Sequence, residues 1–398
     1  MKKNETAEIK IVLKSDRQSK AGWKAVRKTW PCIRKDPVLA ISGCLGLISM
    51  LLVPPDKEYL RYPNWKVLIC LLVLMLAVEM FQEAQLFAAA AAGILNRVSG
   101  LRRLTLVLTG LSFLTAMFLT NDVALITLVP LSLLVFRLLD DPKALIRIVV
   151  LQTVAANVGS SLTPFGNPQN LFLFAFYELS LPVFLRAVWP VAIAGGILLI
   201  VLILLAPDQS LKASVPAVPV RLGVEMGLAV LLFLSAAACV FGLVSEWFLL
   251  GLALVLLLPW KPRLLLRADY SLLLTFMFFF LFIGNLSRLP ALQNFFARAL
   301  AGPQRVLLAG AALSQVISNV PAAILLSGFT EQSGQLLRGV NVGGCGTLIA
   351  SLASVISYKL YGRGEEGCQP DKKRYLLAFT AYNALFIIVL LLISVLLP

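Results

Sequence analysis

The sequence predicts an all-α polytopic membrane protein built as an inverted repeat, with about nine full spans, two re-entrant helical hairpins and two broken transmembrane helices. Three observations lead there. Hydrophobic residues fill 59% of 398 positions and charged residues 14%, with a mean hydropathy of +0.88, so apolar runs of near-spanning length recur along the whole chain. Lys and Arg gather in short loops between those runs, which is the topology signal of a multi-pass protein. Inside otherwise apolar sequence, Val158 to Asn170 reads VGSSLTPFGNPQN. A bilayer core tolerates Gly, Pro and polar side chains at that density only where irregular backbone lines a protein cavity.

Composition also excludes several classes. The formal charge of +15 does not imply a nucleic-acid partner, because the basic residues do not form one patch on a recognition fold. There is no histidine, which removes the commonest proton relay and metal ligand. Cys32, Cys44, Cys70, Cys239, Cys345 and Cys368 show no CxxC pairing, so neither a disulfide framework nor a metal site is expected, and no cofactor beyond a coupling ion. A membrane-embedded protease would need His or Cys ligands at spacings that do not occur here, so enzymatic activity is not expected.

Taken in order, residues 1–36 form a basic arm with eleven Lys or Arg. Ile41-Ser42-Gly43-Cys44 resembles a lipoprotein cleavage box, yet too few apolar residues precede Cys44 to form an h-region. The arm therefore leads into a first span, 37–54, and a loop ending at 65. Repeat one, 66–206, contains spans 66–82 and 183–206, a hairpin at 104–137 and a broken helix at 143–180. Residues 207–268 supply a linker and the scaffold spans 222–241 and 244–260. Repeat two, 269–398, contains spans 269–286 and 375–397, a hairpin at 304–329 and a broken helix at 339–358.

Each hairpin turns at a polar tip, Thr120-Asn121-Asp122 or Ser318-Asn319. The arms of about 12 to 15 residues reach about 18 to 23 Å, short of the roughly 30 Å hydrocarbon core. Segments 84–96 and Phe295 to Ala301, just ahead of the hairpins, read as interfacial helices. With the N-terminus in the cytosol, the cytosolic loops hold 27 of the 35 Lys and Arg. Nine spans then place the C-terminus outside, in a cell membrane.

An internal comparison supports the repeat. TNDVALI at 120–126 aligns with SNVPAAI at 318–324, and NVGSSLT at 157–163 aligns with NVGGCGT at 341–347. The two matches recur in the same order, while the span before each hairpin runs in opposite directions. Such inverted repeats belong to secondary transporters, which bind solute at the repeat interface.

These stretches, TNDVALITLVP with NVGSSLTPFGNPQN and SNVPAAILLSG with NVGGCGTLIASLAS, resemble the signatures of the ion transporter superfamily. That group contains divalent anion:sodium symporters, citrate transporters, arsenite/antimonite efflux permeases and D-type sodium/proton antiporters. The resemblance covers roughly residues 66 to 397 and is most specific at TPFGNPQN. It implies a homodimer that moves its transport domain like an elevator against a scaffold. It further implies a coupling ion, sodium or a proton, at Thr120, Asn121, Asp122, Asn157, Gly159, Ser318, Asn319, Asn341 and Gly343. Substrate is implied at Ser160, Ser161, Thr163, Pro164, Gly166, Asn167, Pro168, Asn170, Gly344, Thr347 and Ser351. Where the anion symporters resemble a Ser-Asn-Thr triplet at both tips, this chain reads Thr-Asn-Asp and Ser-Asn-Val-Pro.

The chemistry of each residue type fits these roles and also has simpler readings. A carboxylate at mid-depth costs roughly 2.5 to 3.5 kcal/mol, so Asp122 should be cation-bound, protonated or paired, and it can also cap the second hairpin arm. Asn121 and Asn319 present a carbonyl to a cation and an amide to an anion, or accommodate the turn. Glycines free backbone carbonyls for sodium and amides for an anion, or allow close helix packing. Pro164 and Pro168 force unwinding, at about 3 kcal/mol each for a helix interior. Hydroxyls of Ser160, Ser161, Thr163 and Thr347 face solute or bond back to helix carbonyls. Glu79 and Glu83 read as snorkelling or as pairing with Arg97, and Arg186 as an interface anchor. No arginine falls in the cavity segments, so an anion would be held by half-helix N-termini and amides. The expected function is cation-coupled transport of a small anion, a carboxylate or an inorganic oxyanion. A metalloid efflux permease or a sodium/proton antiporter on the same scaffold is the alternative.

Overall fold

The computed structural model describes residues 37–137, 141–210, 219–220, 223–362 and 370–396, and among them every regular element is helical. The basic arm 1–36 lies outside the described residues. Eighteen α-helices follow. The N-terminal part holds α1 (Pro37–Leu52), α2 (Trp65–Glu83), α3 (Leu86–Leu95), α4 (Leu101–Phe118), α5 (Asn121–Arg137), α6 (Pro142–Ser160), α7 (Pro168–Phe176) and α8 (Leu181–Leu204). Next come α9 (Val224–Val240), α10 (Glu246–Trp260), the short α11 (Pro262–Leu265), α12 (Tyr270–Leu286) and α13 (Pro290–Ala299). The C-terminal part holds α14 (Pro303–Ile317), α15 (Asn319–Ser327), α16 (Ser333–Gly343), α17 (Leu352–Gly362) and α18 (Lys372–Leu396).

Helix starts follow local chemistry. Asn64, Asp141, Ser245 and Asp269 accept backbone N–H bonds at the first turns of α2, α6, α10 and α12. Pro stands in the first turn of α6, α7, α8, α13 and α14, where its missing N–H costs nothing.

Four helices, α2, α4, α8 and α18, are each long and apolar enough to cross a membrane. Helices α12 and α13 together pass the same test but bend by 98° between Leu286 and Pro290. The chain is a multi-pass membrane protein. The other expected spans fall on shorter apolar helices or on the interrupted pairs α6/α7 and α16/α17.

Two boundaries and one ion pair differ from expectation. The first hairpin's arms, α4 and α5, have 18 and 17 residues, longer than the 12 to 15 expected. At about 1.5 Å per residue α4 reaches about 27 Å. Its first turn includes the charged Arg102 and Arg103, which an apolar pattern leaves out. Arg102 is held there because its guanidinium donates to Ala206 O at the end of α8 (2.9 Å) and its backbone N–H donates to Asp208 Oδ1 (3.0 Å). The second broken helix starts at Ser333, not 339, because Arg338 is buried inside α16 rather than marking a loop. Glu83 pairs with Lys261 (3.0 Å) and Arg267, far away in sequence, where the sequence pointed to neighbouring Arg97.

The helices pack in two groups. One contains α1, α2, α9, α10 and α12, with α12 lying along α1 and both α9 and α10 against α2. The other contains α4 to α8 and α14 to α18. In it α4 packs on α6 and α14 on α16, while α5 lies against α17 and α15 against α7. Both α6 and α16 pack on α8 and α18. The groups touch mainly where α7 and α15 meet α2, α9 and α12. Aromatic rings fill that seam: Phe172 on α7 lies 5.7 Å from Phe280 and 6.5 Å from Phe276 on α12. Phe165, in the loop between α6 and α7, meets Phe233 and Phe241 at the α9 end.

Candidate functional site

The tips of the two hairpins and the two helix interruptions converge within the second group. Pro164 and Pro168 end α6 and restart the chain as α7, with Pro168 at the first helical position. Asn167 caps α7, its Oδ1 accepting from the Asn170 backbone N–H at 2.8 Å. Asn170, fully buried, staples the loop: its Nδ2 donates to the carbonyls of Ser160 (3.3 Å), Ser161 (3.1 Å) and Thr163 (3.1 Å). The fold here admits no Cβ at Gly159 or Gly166, which would stand 2.2 Å from Phe113 O and Ser160 O respectively.

The second interruption contains no proline and is built on glycine instead. A Cβ at Gly343 would stand 2.6 Å from Ser314 Cβ, and one at Gly344 3.1 Å from Asn319 Nδ2. Both hairpin tips carry backbone strain. Thr120 has φ 113° and Ser318 φ 76°, the left-handed region that non-glycine residues avoid, and each immediately precedes the Asn that opens the second arm.

Two asparagine bridges join the halves. In the first, Asn121 Nδ2 donates to Asn157 Oδ1 (3.0 Å), Ser351 Oγ donates to the same oxygen (2.9 Å), and Asn157 Nδ2 donates to Gly344 O (3.0 Å). In the second, Asn341 Nδ2 donates to Asn170 Oδ1 (2.7 Å) and Asn167 Nδ2 donates to Asn341 Oδ1 (3.3 Å) and Ser160 Oγ (3.2 Å). All of these residues are buried. A buried amide must be fully bonded to be tolerated, so these bridges lock loop to loop across as many as 194 residues of sequence.

Asp122 lies in the first turn of α5, not at its cap, because Thr120 occupies the turn and Asn121 opens the helix. Its Oδ1 is shielded from solvent and has no hydrogen-bond partner. A carboxylate at a helix N-terminus is favoured by the helix dipole, whereas a buried oxygen without a hydrogen-bond partner is costly.

Several expected ligands are turned into the backbone. Ser161 Oγ donates to Val158 O (2.6 Å), Thr163 Oγ1 to Met117 O (2.5 Å) and Thr347 Oγ1 to Gln315 O (2.9 Å). Ser160 Oγ donates to Asn157 O (3.0 Å) while receiving Asn167. Ser318 Oγ reaches Ala350 O at 3.3 Å. The simpler reading, hydroxyls bonded to helix and loop carbonyls, is the one these geometries take.

Sequence reasoning missed three buried or half-buried polar residues. Gln152 accepts from Ser132 Oγ (2.7 Å) and donates to Ser112 Oγ (3.1 Å), tying α6 to both arms of the first hairpin. Gln315 bonds to the second interrupted loop. Arg338, one residue ahead of the expected broken helix at 339–358, lies inside α16, one turn before Asn341. Its Nε donates to Ala187 O (3.0 Å) and its Nη1 to Ser394 O (3.2 Å). The Ser394 carbonyl, in the last turn of α18, is one of those a helix end leaves without a helical partner. The available signal was a polar side chain inside an apolar run.

A family profile described as citrate transporter matches residues 29–342. The chain belongs to the citrate transporter family. It lies within the ion transporter superfamily that its motifs resemble. An uncharacterised transporter of Methanocaldococcus jannaschii is 33% identical over 318 residues, spanning 79% of this chain and 87% of that protein. The inner membrane protein YbiR of Escherichia coli is 34% identical over 310 residues, spanning 75% of this chain and 80% of that protein. A Dictyostelium discoideum transporter named arsB is 24% identical over 173 residues, 44% of this chain and 30% of that protein. The crystal structure of the Alcanivorax borkumensis YdaH transporter aligns with a TM-score of 0.45 at 15% identity, covering 90% of this chain and 96% of that one. The profile match stops at Val342, so the second interrupted loop lies beyond it.

Proposed function

We propose that this citrate transporter family member is a secondary active transporter that moves a small anion, a carboxylate or an inorganic oxyanion, coupled to sodium or protons. The observation that carries the reading is the Asn157 bridge to Asn121, the residue before Asp122. One amide joins the first hairpin tip to the second loop, and the next residue of that tip carries a carboxylate oxygen that has no hydrogen-bond partner. The coupling ion sits at Asp122 with Thr120, Asn121, Asn157 and Gly159, and on the other side Ser318, Asn319, Asn341 and Gly343. Solute is held at Ser160, Ser161, Thr163, Pro164, Gly166, Asn167, Pro168 and Asn170 on the first loop, and at Gly344, Thr347 and Ser351 on the second. Loop carbonyls that already accept one bond keep a second lone pair for a cation.

The two halves form an inverted repeat with two re-entrant hairpins. Supporting this, Thr163 bonds to the Met117 carbonyl as Thr347 bonds to that of Gln315, and both tips place a strained residue before Asn. The second helix group moves as an elevator against the first. The seam of Phe172, Phe276 and Phe280 favours such sliding, since it has no described hydrogen bond between these side chains and the burial of apolar surface is non-directional. The protein forms a homodimer in a cell membrane, with its N-terminus cytosolic and its C-terminus outside.

A second reading has one observation in its favour. The Asp122 carboxylate also suits a metalloid efflux permease or a sodium/proton antiporter, and the partial similarity to arsB points to the same alternative. Thermal stabilisation of the purified protein by citrate, dicarboxylates, sulfate, phosphate or arsenite, each with and without sodium, tests the proposal. A sodium-dependent shift with an organic or inorganic anion supports symport. A shift with arsenite alone overturns it in favour of efflux.

A further inference from the structure

Both interrupted loops are stapled by one amide side chain, but from different places. In the first, the amide belongs to Asn170 on α7, inside the same broken helix. In the second it belongs to Gln315 on α14, the first arm of the second hairpin. Gln315 Nε2 donates to Gly343 O (2.8 Å), where α16 ends, and to Ala311 O (2.8 Å) on its own helix. Its Oε1 accepts from the Thr347 backbone N–H at 2.7 Å, and its backbone carbonyl accepts from Thr347 Oγ1 at 2.9 Å. One residue thus fixes both the start and the middle of the loop. Gly346 is shaped to it, since a Cβ there would stand 1.8 Å from Gln315 Oε1.

The matching position in the first half is Met117, which offers only its carbonyl, to Thr163. The amide staple of the first loop therefore comes from its own broken helix, although the Asn121 N–H also donates to Gly166 O (3.2 Å), whereas the amide staple of the second loop comes from the second hairpin. Both Gln315 amide protons are consumed by protein carbonyls, so the side chain has no donor left for solute. Its role is positional.

We propose that Gln315 is the positioning residue of the second interrupted loop, coupling the stance of the second hairpin to the affinity for solute. The proposal rests on the transporter reading for its consequence but not for its geometry. Gln315→Leu removes all the side-chain bonds. Gln315→Glu presents two carbonyls with a carboxylate at neutral pH and regains a donor only when protonated.

The test uses the full-length protein in detergent. Hydrogen exchange is followed at Thr347, with Asn170 as the internal reference, and thermal-shift titrations are run with citrate and with sodium. In Gln315→Leu the protection of Thr347 falls about tenfold, roughly one hydrogen bond's worth, while Asn170 is unchanged. In Gln315→Glu the carboxylate still accepts from the Thr347 N–H, so protection there is retained although the donations to Gly343 O and Ala311 O are lost. The citrate midpoint rises about tenfold in Gln315→Leu while the sodium midpoint stays within twofold. Unchanged protection at Thr347 in Gln315→Leu, or citrate and sodium midpoints rising together, overturns the positioning role. If citrate shifts not even the unsubstituted protein, the citrate reading fails, and the exchange data alone then decide whether Gln315 positions the loop.

Discussion

Asn157 donates its amide to the carbonyl of Gly344, 187 residues further along, while its own oxygen receives both Asn121 and Ser351. Replacing it by Ala strands three buried polar groups at once. At about 1 to 3 kcal/mol for each buried group left unpaired, Asn157→Ala should lose on the order of 3 kcal/mol or more. The measurement is a melting curve in detergent; a melting temperature within a degree of the unsubstituted protein would contradict the bridge.

Gly159 and Gly110 make a matched pair. At Gly159 an added methyl meets the Phe113 carbonyl at 2.2 Å, while at Gly110, in the middle of α4, nothing lies within 4 Å. Gly159→Ala should cost about 3 kcal/mol or more through overpacking against rigid backbone. Gly110→Ala should be neutral or should stabilise by about 0.5 to 1 kcal/mol, the helical preference of Ala over Gly. Comparing the two unfolding midpoints separates packing from propensity.

Asp122→Asn keeps the size of the side chain and removes its charge. The variant should fold, because no described bond to the Asp122 carboxylate is lost, yet its stabilisation by sodium or its response to pH should vanish. Uptake into proteoliposomes that retains the normal sodium and pH dependence would falsify the assignment of Asp122 to the coupling ion.

These outcomes bear on what the sequence alone makes legible. The segment Val158 to Asn170 announces its unwinding because proline leaves no alternative, and both asparagine tips are visible as polar turns in apolar sequence. The cross-links are not visible in that way. Whether Asn341 meets Asn170 or Asn167 depends on how α16 packs beside α7, and no local pattern encodes that packing. Arg338 is hidden for a related reason. A cation in sequence reads as a loop, and only its partners, the carbonyls of Ala187 in α8 and Ser394 at the end of α18, make it compatible with a helix interior. The hydroxyls of Thr163 and Thr347 are visible in sequence as polar groups, but the backbone carbonyls that accept from them, those of Met117 and Gln315, are not.

Arg338→Met should therefore destabilise the protein although Met fits an apolar run better. It leaves the Ala187 and Ser394 carbonyls without these donors, at about 1 to 3 kcal/mol for each buried group, and Arg338→Lys should recover only part because an ammonium lacks the planar fork. Equal melting temperatures for the Met variant and the unsubstituted protein would show that the two bonds are dispensable.

Outside the membrane segments, Arg288 Nη2 donates to Asp56 Oδ2 at 2.7 Å and holds the Asp56 carboxyl below the ordinary carboxylate value of 3.8. A folded value below the unfolded one means the pair stabilises above the unfolded value and loses that contribution as pH falls through the folded one. Asp56→Asn should thus lower the melting temperature at neutral pH, and the gap to the unsubstituted protein should close on acidification below pH 4 or so. A gap that is independent of pH would assign the effect to the cap that Asp56 makes with the Glu58 N–H instead.

Phe165 belongs to the loop that Asn170 staples, yet its ring rests edge-on against Phe233 and Phe241 of the other helix group. The interrupted loop therefore carries its own pointer, one side chain that reads off where the loop stands along the neighbouring wall. If the second helix group slides against the first as proposed, tryptophan at that position would report the displacement as a change of colour.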